Sequence, residues 1–206
     1  MLLKCGRPTL AASLFLRLGW EIPISRSFPA DPQIRYSWPV LYHLYKPEDF
    51  AALYAIEEAC FQPPFRFGRR YMRQIVDNPD SATWIAEKDG RMAGFAIVEW
   101  VQDEGATFAY IQTIEVAAGE RRQGVGDELL RRVEASARAA GARTIWLHVD
   151  VENSAAIRLY EQSGYASQGR AEHYYARNRA AVVYTKKLAQ SDPGAASPAI
   201  AFFGLV

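Results

Sequence analysis

The sequence predicts an α/β (α+β) protein: a mixed, mostly antiparallel sheet with a central pair of parallel strands and helices on its flanks. Runs of alternating apolar and polar residues indicate strands, and Asp89-Gly90 between two such runs is a strong hairpin signal. The run that ends at Val116 and the run at 143–150 are joined by a long amphipathic segment. Because a helical connection returns the chain in the same direction, these two strands should lie parallel.

The other segments fit this plan in chain order. Pro47, followed by two acids, favours the start of a helix. An apolar residue at every fourth position from Val125 marks the long helix, and Gly141 ends it. The predicted strands are 41–45, 82–87, 91–100, 108–116, 143–150, 165–174 and 180–188, and the predicted helices are 47–60, 69–77, 125–140 and 153–163.

Length and composition predict one domain with two tails. The chain has 206 residues, half of them hydrophobic, which is enough to bury a sizeable core. We expect residues 1–38, which are punctuated by prolines, to be a poorly ordered extension, and residues 189–206 to be a loosely held tail. The domain itself should span 39–188.

Several classes of partner are disfavoured by the charge and by the cysteines. The net charge of +1, with no basic stripe carrying interleaved aromatics, gives no reason to expect nucleic acid as the partner. The apolar stretch near the N-terminus is interrupted by Arg17 and Gly19 and is too short to span a membrane. Cys5 and Cys60 have neither metal-ligand nor redox spacing, so we expect no metal site and a cytoplasmic location.

A glycine-containing turn opens the long helix and predicts an anion site. The first amides of a helix lack intrahelical partners, and glycines let a phosphate approach them closely. The sequence does not match two other phosphate-binding motifs. Asp127 stands where a P-loop needs lysine, and Leu129 stands where a dinucleotide-binding motif needs its third glycine. We expect this turn to bind a pyrophosphate. The predicted binding residues are Arg121, Arg122, Gln123, Gly124, Val125, Gly126 and Asp127.

The order Arg121-x-x-Gly124-x-Gly126 after a strand resembles the acyl-coenzyme A signature of the GCN5-related N-acetyltransferase (GNAT) superfamily. The likeness covers roughly residues 40–188, and it is greatest to bacterial ribosomal-protein alanine N-acetyltransferases and to the catalytic subunits of eukaryotic N-terminal acetyltransferases. It implies the GNAT fold and acetyl-CoA as co-substrate. A helix that merely begins with glycines is the alternative interpretation of this turn.

The resemblance also assigns cofactor contacts elsewhere in the chain. In GNAT enzymes the two parallel strands splay apart and the pantetheine arm lies between them, which implies contacts from the backbone of Ile114, Glu115 and Val116. The block from Asn153 to Tyr160 resembles the segment whose asparagine contacts coenzyme A and whose tyrosine approaches the thioester sulfur. Asn153 and its neighbour Ser154 are both good helix N-caps, and we count both among the cofactor contacts.

Three side chains are candidates for the chemistry. The strands that carry Tyr110 and His148 resemble those of eukaryotic N-terminal acetyltransferases, in which a tyrosine and a histidine handle the amine's proton. Bacterial ribosomal-protein acetyltransferases usually carry glutamate at the position of His148. Tyr160 is the candidate general acid or hydrogen-bond donor for the departing thiolate. Each could instead be an ordinary packed or strand residue.

The acceptor is expected to be the α-amine of a protein or peptide N-terminus. An α-amine has a pKa of about 7.7 to 8.0 against about 10.4 for lysine, so a weak base such as histidine suits it better. The sequence His173-Tyr174-Tyr175 resembles the hairpin that lines the peptide cleft in both acetyltransferase groups. The first loop would supply the other wall, through Pro64, Phe65 and Phe67.

Two other functions stay open from the sequence. A small amine, such as a polyamine or an aminoglycoside, could replace the peptide as acceptor. Alternatively, the chain could be a non-catalytic module that binds acyl-CoA and senses its level, although the presence of Tyr110, His148 and Tyr160 argues against it. The protein could be a monomer or a homodimer.

Overall fold

The computed structural model describes residues 39–63, 65–103, 105–176 and 178–189. Residues 1–38, nearly all of 189–206 and Pro64 lie outside this part of the chain. The predicted extension and tail, and the place of Pro64 in the first loop, therefore stay predictions.

Seven strands form one sheet in the described part of the chain, in the order β1-β2-β3-β4-β5-β7-β6. All neighbours run antiparallel except β4 and β5, as the sequence predicts. The strands are β1 (Leu41–Leu44), β2 (Ser81–Lys88), β3 (Arg91–Asp103), β4 (Ala106–Val116), β5 (Ala142–Asp150), β6 (Ala166–Ala176) and β7 (Arg179–Lys187).

Helices cover both faces of this sheet. A short 3₁₀ turn at Pro47–Asp49 leads into α1, and the helices are α1 (Phe50–Cys60), α2 (Arg69–Val76), α3 (Val125–Ala139) and α4 (Ser154–Gln162). Buried residues of α1 and α2 pack with Ile85, Phe95 and Ile97 in one apolar cluster. Buried residues of α3 and α4 pack with Ala109, Ile145 and others in a second cluster on the opposite face.

The predicted hairpin between β2 and β3 is present. Asp89 and Gly90 both have positive φ, at 53° and 69°. Two successive positive values are what a type I′ turn requires, and this turn matches the twist of the strands it joins. The predicted elements all occur, and their ends differ from prediction by at most a few residues.

The parallel pair separates along its length. Thr107 to Tyr110 of β4 pair with Ala142 to Trp146 of β5, and the pairing ends there. Gln112 is skipped in the register with β3, which marks a bulge in β4 just beyond the last parallel pair. Because a bulge bends its strand, β4 leaves β5 while staying on β3, and its other edge is unpaired from Ile111 to Val116.

Candidate active site

A cleft of about 900 Å³ opens where β4 and β5 separate. Its floor comes from the two strands, one wall from the loop between α1 and α2, and the other from α4 and the β6–β7 hairpin. All three candidate side chains for the chemistry line it: Tyr110, His148 and Tyr160.

Tyr110 and His148 are in contact across the parallel strands. The hydroxyl of Tyr110 lies 3.3 Å from Nδ1 of His148 and 3.3 Å from the hydroxyl of Tyr174. The ring of Tyr174 stacks on the imidazole with 4.0 Å between ring centroids. Trp146 packs against Tyr110 from the next strand, at 4.5 Å between centroids. An aromatic frame thus holds one hydroxyl and one imidazole together.

Burial sets the protonation of this pair. Burial lowers the pKa of His148 below its usual 6.5, so the imidazole is neutral at neutral pH and has a free lone pair. Burial, followed by the hydrogen bond with Tyr174, raises the pKa of Tyr110 above its usual range. Tyr110 is therefore a phenol rather than a phenolate, and its proton can be donated to the Tyr174 hydroxyl or to a substrate while its oxygen accepts from the imidazole.

Tyr160 approaches the cleft from α4 and is almost fully buried, with 6% of its surface exposed. Burial raises the pKa of Tyr160, which keeps it protonated. Within the described residues its hydroxyl has no hydrogen-bond partner, while its ring packs against Tyr165 and Tyr184. Because the ring of Tyr160 is fixed by packing and its hydroxyl is free, the hydroxyl can donate a hydrogen bond into the cleft.

The predicted anion site lies at the start of α3. Gly124 has a φ of 79° and is the N-cap, a backbone conformation that favours glycine. The first helical hydrogen bond runs from Glu128 N–H to the Gly124 carbonyl, so the amides of Val125, Gly126 and Asp127 precede the intrahelical ladder. The side chain of Val125 is buried in the core, which leaves its backbone for a ligand.

Some side chains around this turn already form hydrogen bonds within the protein. Arg121 donates from Nε to the Val116 carbonyl at 3.0 Å and from Nη2 toward Sγ of Cys60 at 3.6 Å. Gln123 accepts a hydrogen bond from Lys88 and donates one to the Gly119 carbonyl. Arg122 and Asp127 are exposed. In this arrangement Arg121 braces the end of β4, so the backbone amides supply the more available anion contacts.

The remaining predicted cofactor residues occupy different positions. Asn153 caps α4 by accepting from the Ala156 amide at 3.1 Å, and it lines the cleft. Ser154 is exposed and does not line the cleft. Ile114 lines the cleft, whereas the side chain of Glu115 is buried behind it.

The predicted acceptor-binding residues that the structure describes, all but Pro64, meet at the mouth of the cleft. The ring of Phe65 lies 5.4 Å from that of Tyr175, measured between centroids, so the first loop touches the hairpin. Tyr175 donates to the His148 carbonyl at 3.4 Å. Phe67 also lines the cleft, and Tyr174 is 46% exposed there. Aromatic surface therefore surrounds the entrance to His148.

An irregular segment of β6 directs the two tyrosines inward. Pairing with β7 is interrupted between Ala171 and Ala176. Within this segment His173 has a φ of 59°, a left-handed conformation that a histidine adopts infrequently. The interruption frees Tyr174 and Tyr175 from the regular alternation of a strand.

Trp146 and Tyr71 are among the cleft residues that sequence reasoning did not identify. Trp146 lies two positions before His148 on the same strand face, and this period of two was a usable signal. Tyr71 comes from α2, which is far in sequence from the cleft strands β4 and β5, and no local pattern marks it. No group of metal-ligating side chains occurs in the described residues, and none of the helices there is long and apolar enough to cross a bilayer.

Comparison with known proteins identifies the family to which this fold and cleft belong. The acetyltransferase (GNAT) family model matches residues 50–165, more than half of the chain. The chain belongs to the GNAT acetyltransferase family. It is an N-acetyltransferase that uses acetyl-CoA as co-substrate.

Relatives differ in their acceptors. The ribosomal protein bS18-alanine N-acetyltransferase of Escherichia coli (strain K12) is 33% identical over 135 residues, which cover 62% of this chain and 81% of the relative. Streptothricin acetyltransferase of Streptomyces lavendulae is 39% identical over 95 residues, which cover 45% of this chain and 49% of the relative. The structure of Arabidopsis thaliana NAA60 in complex with acetyl-CoA matches with a TM-score of 0.66 at 22% identity, over 73% of this chain and 99% of that one.

Proposed function

We propose that the protein acetylates the α-amine of a protein or peptide N-terminus by direct transfer from acetyl-CoA. The observation that carries this proposal is the neutral His148, hydrogen-bonded to Tyr110 at the floor of an open aromatic cleft. A matching acceptor occurs in the name of the Escherichia coli relative, which acts on an alanine of ribosomal protein bS18.

The described residues fit acetyl-CoA at two places. The unpaired edge of β4 from Ile111 to Val116 has the geometry to take a pantetheine arm as an added strand. The free amides at the start of α3 fit a pyrophosphate. Asn153 would add a side-chain contact. When bound, the cofactor supplies the acetyl group as a reactive thioester.

The protein's own groups handle the protons and the charge. His148 accepts a proton from the amine, directly or through a water, and Tyr110 orients the imidazole through Nδ1. Tyr160 donates a hydrogen bond to the sulfur as the thiolate leaves. Backbone amides at the end of β4 stabilise the negative charge that develops on the carbonyl oxygen.

The strength of the base favours an N-terminus over lysine. At neutral pH an α-amine with a pKa of about 7.7 to 8.0 is already partly free base, while lysine at about 10.4 is not. His148, with its lowered pKa, is a weak base, and it therefore suits the α-amine better than the lysine amine. The walls that contain Phe65, Tyr174 and Tyr175 would hold the first side chain and the adjacent backbone of the acceptor.

The test is release of coenzyme A thiol with a panel of short peptides that differ in their first two residues. Each peptide is also supplied with a blocked N-terminus and with an internal lysine as the only amine. We expect turnover to need the free N-terminus and to fall by about 100-fold or more in His148→Ala and less in Tyr160→Phe, since a positioned general base contributes about 10² to 10⁴. Turnover only with lysine would reject the proposal.

A second candidate acceptor is a small amine, because streptothricin acetyltransferase matches part of the chain. Polyamines, aminoglycosides and streptothricin belong in the same assay. Turnover with these and with none of the peptides would transfer the function to that class.

A further inference from the structure

Two acidic side chains lie behind the wall of the cleft, withdrawn from solvent. Glu57 in α1 is 0% exposed, and Glu115 in β4 is 2% exposed. On each, the oxygen Oε2 is buried and has no hydrogen-bond partner in the described part of the chain. Two ionised carboxylates in such surroundings would be costly, so these orphan oxygens require an explanation.

The sheet register places Glu115 on the face that α1 covers. Glu115 lies directly opposite Phe95, and Thr113 lies opposite Ile97. Phe95 and Ile97 belong to the apolar cluster of α1 and α2. Side chains directly opposite each other in an antiparallel pair share a face, so the Glu115 carboxyl points to α1.

Helix α1 brings Glu57 to the same point. Cys60 follows Glu57 by three residues, which puts the two on one face of the helix. Sγ of Cys60 lies 4.0 Å from the Val116 carbonyl, next to Glu115 in the strand. The Glu57 end of the helix therefore packs on the Glu115 end of the strand, and the two carboxyl groups are neighbours.

The groups facing Glu115 do not neutralise it. The Thr113 hydroxyl donates to Glu115 Oε1 at 3.0 Å, and the Cys60 thiol also faces the carboxyl. Within the described residues Arg121 lies beyond Cys60 and donates to the Val116 carbonyl rather than to Glu115. Burial first, and the Glu57 carboxyl second, raise the pKa of Glu115 well above its usual value.

We propose that Glu57 and Glu115 share one proton, as a carboxylic acid hydrogen-bonded to a carboxylate. This bond joins the acceptor wall, which is the loop between α1 and α2, to the cofactor strand, which is β4 with its free edge from Ile111 to Val116. The Glu115 acid donates to Oε2 of Glu57, which satisfies both orphan oxygens with one hydrogen. The pair consists of positioning residues, since neither carboxyl lines the cleft.

The link reaches the acceptor wall through Phe67. Oε1 of Glu57 accepts the Phe67 amide at 2.6 Å, and the Tyr54 hydroxyl donates to the Phe67 carbonyl at 3.2 Å. The backbone of Phe67 is thus held on both sides, one of them through the carboxyl pair. Loss of the shared proton would leave two adjacent carboxylates that repel, and α1 would move from β4. That this segment contacts the acceptor rests on the proposed function.

The first test detects the proton itself and does not depend on activity. Infrared spectra of the full chain at pH 7 should show the carbonyl stretch of a protonated carboxylic acid. Glu115→Gln should lose this band, and the matched control Glu58→Gln should keep it, because Glu58 is exposed and adjacent to Glu57. Absence of the band from the wild-type protein at pH 7 would overturn the proposal.

The second test measures what the link does. The peptide KM of the wild-type protein should rise by about tenfold at alkaline pH, with a smaller change in the acetyl-CoA KM, as the pair loses its proton. In Glu115→Gln the amide donates to Glu57 at every pH, so the alkaline rise should shrink to about threefold or less. Glu58→Gln should behave like the wild-type protein.

A backup variant covers misfolding. If Glu115→Gln does not fold, Glu57→Gln serves, since its amide oxygen can accept from Phe67 while its NH₂ donates to Glu115. An unchanged alkaline rise in the variant that folds would overturn the positioning role. If no peptide is a substrate, the proposed function fails, while the infrared band still decides whether the pair holds a proton.

Discussion

At the scale of residues, the site depends on burial rather than on charge. The Tyr110 hydroxyl and Nδ1 of His148 lie 3.3 Å apart, and no carboxylate of the described residues is hydrogen-bonded to the imidazole. Burial alone lowers the pKa of His148, and burial together with Tyr174 raises that of Tyr110. The result is a neutral base beside a neutral phenol at neutral pH, which suits an acceptor that arrives partly as free amine.

The pH dependence of kcat/KM should report His148. We expect kcat/KM to fall first as pH drops through the amine's pKa of about 7.7 to 8.0, and then more steeply below 6.5 through the lowered pKa of His148, because protonation removes the imidazole lone pair. The profile should be measured with a peptide substrate from about pH 5 to 8 for the wild-type protein and His148→Ala. If the residual kcat/KM of His148→Ala falls at low pH in the same way as that of the wild-type protein, this fall is due to another group.

Tyr110→Phe is the companion variant. It removes the hydroxyl that lies between His148 and Tyr174 while keeping the ring on Trp146. The acid limb should shift if Tyr110 influences the imidazole through this contact. An unshifted limb with lower kcat would instead place Tyr110 in direct contact with the substrate.

At the scale of elements, the cofactor groove depends on how closely β3 and β4 approach. A Cβ built on Gly94 would lie 2.4 Å from the Glu115 carbonyl oxygen and 3.2 Å from Cα of Val116. No real structure tolerates the shorter of these contacts, and both partners are backbone atoms that cannot rotate away. Gly94 thus sets the position of the strand end whose other edge is free for the cofactor.

Gly94→Ala should be destabilising and should weaken cofactor binding. We expect a loss of about 1–3 kcal/mol in the free energy of unfolding, as overpacking usually costs. The acetyl-CoA KM should rise more than the peptide KM, because β4 must shift. Urea denaturation and initial rates measure the two effects.

The control is Gly119→Ala, where a built Cβ meets nothing within 4 Å and φ is not positive. Its free energy of unfolding should stay near that of the wild-type protein. Equal losses in both alanine variants would contradict the close-approach explanation for Gly94.

At the scale of the whole molecule, the carboxyl pair links stability to pH. The pKa of Glu115 is raised on folding from 4.5, so the folded protein holds a proton that the unfolded chain releases. Stability from this group is complete below pH 4.5 and is lost as pH rises toward the higher folded-state value. The slope is at most about 1.4 kcal/mol per pH unit for one proton.

Glu115→Gln should flatten this dependence. Denaturation in urea at a series of pH values gives the free energy of unfolding of the wild-type protein, Glu115→Gln and Glu58→Gln. The difference between the wild-type protein and Glu115→Gln should change steadily across the neutral range, in the direction that favours the variant at high pH. A difference that stays constant with pH would show that Glu115 is ionised in the folded protein.

Much of this molecule follows from local signals in the sequence. The hairpin at Asp89-Gly90, the Gly124 turn and the Asn153 cap were predictable because each depends on the backbone preference of a few adjacent residues. The parallel direction of β4 and β5 was predictable because a single helix connects them. The family and its cofactor follow from the same local segments.

The tertiary structure alone decided how those segments meet. The bulge at Gln112 separates β4 from β5, and no residue pattern in β4 predicts this bulge. Arg121 donates to the Val116 carbonyl at the end of β4, a contact that no local pattern indicates, and its predicted phosphate contact stays a prediction. Glu57 and Glu115 are 58 positions apart in the chain, and burial, which sets the chemistry of the pair, is a property of packing rather than of any local pattern.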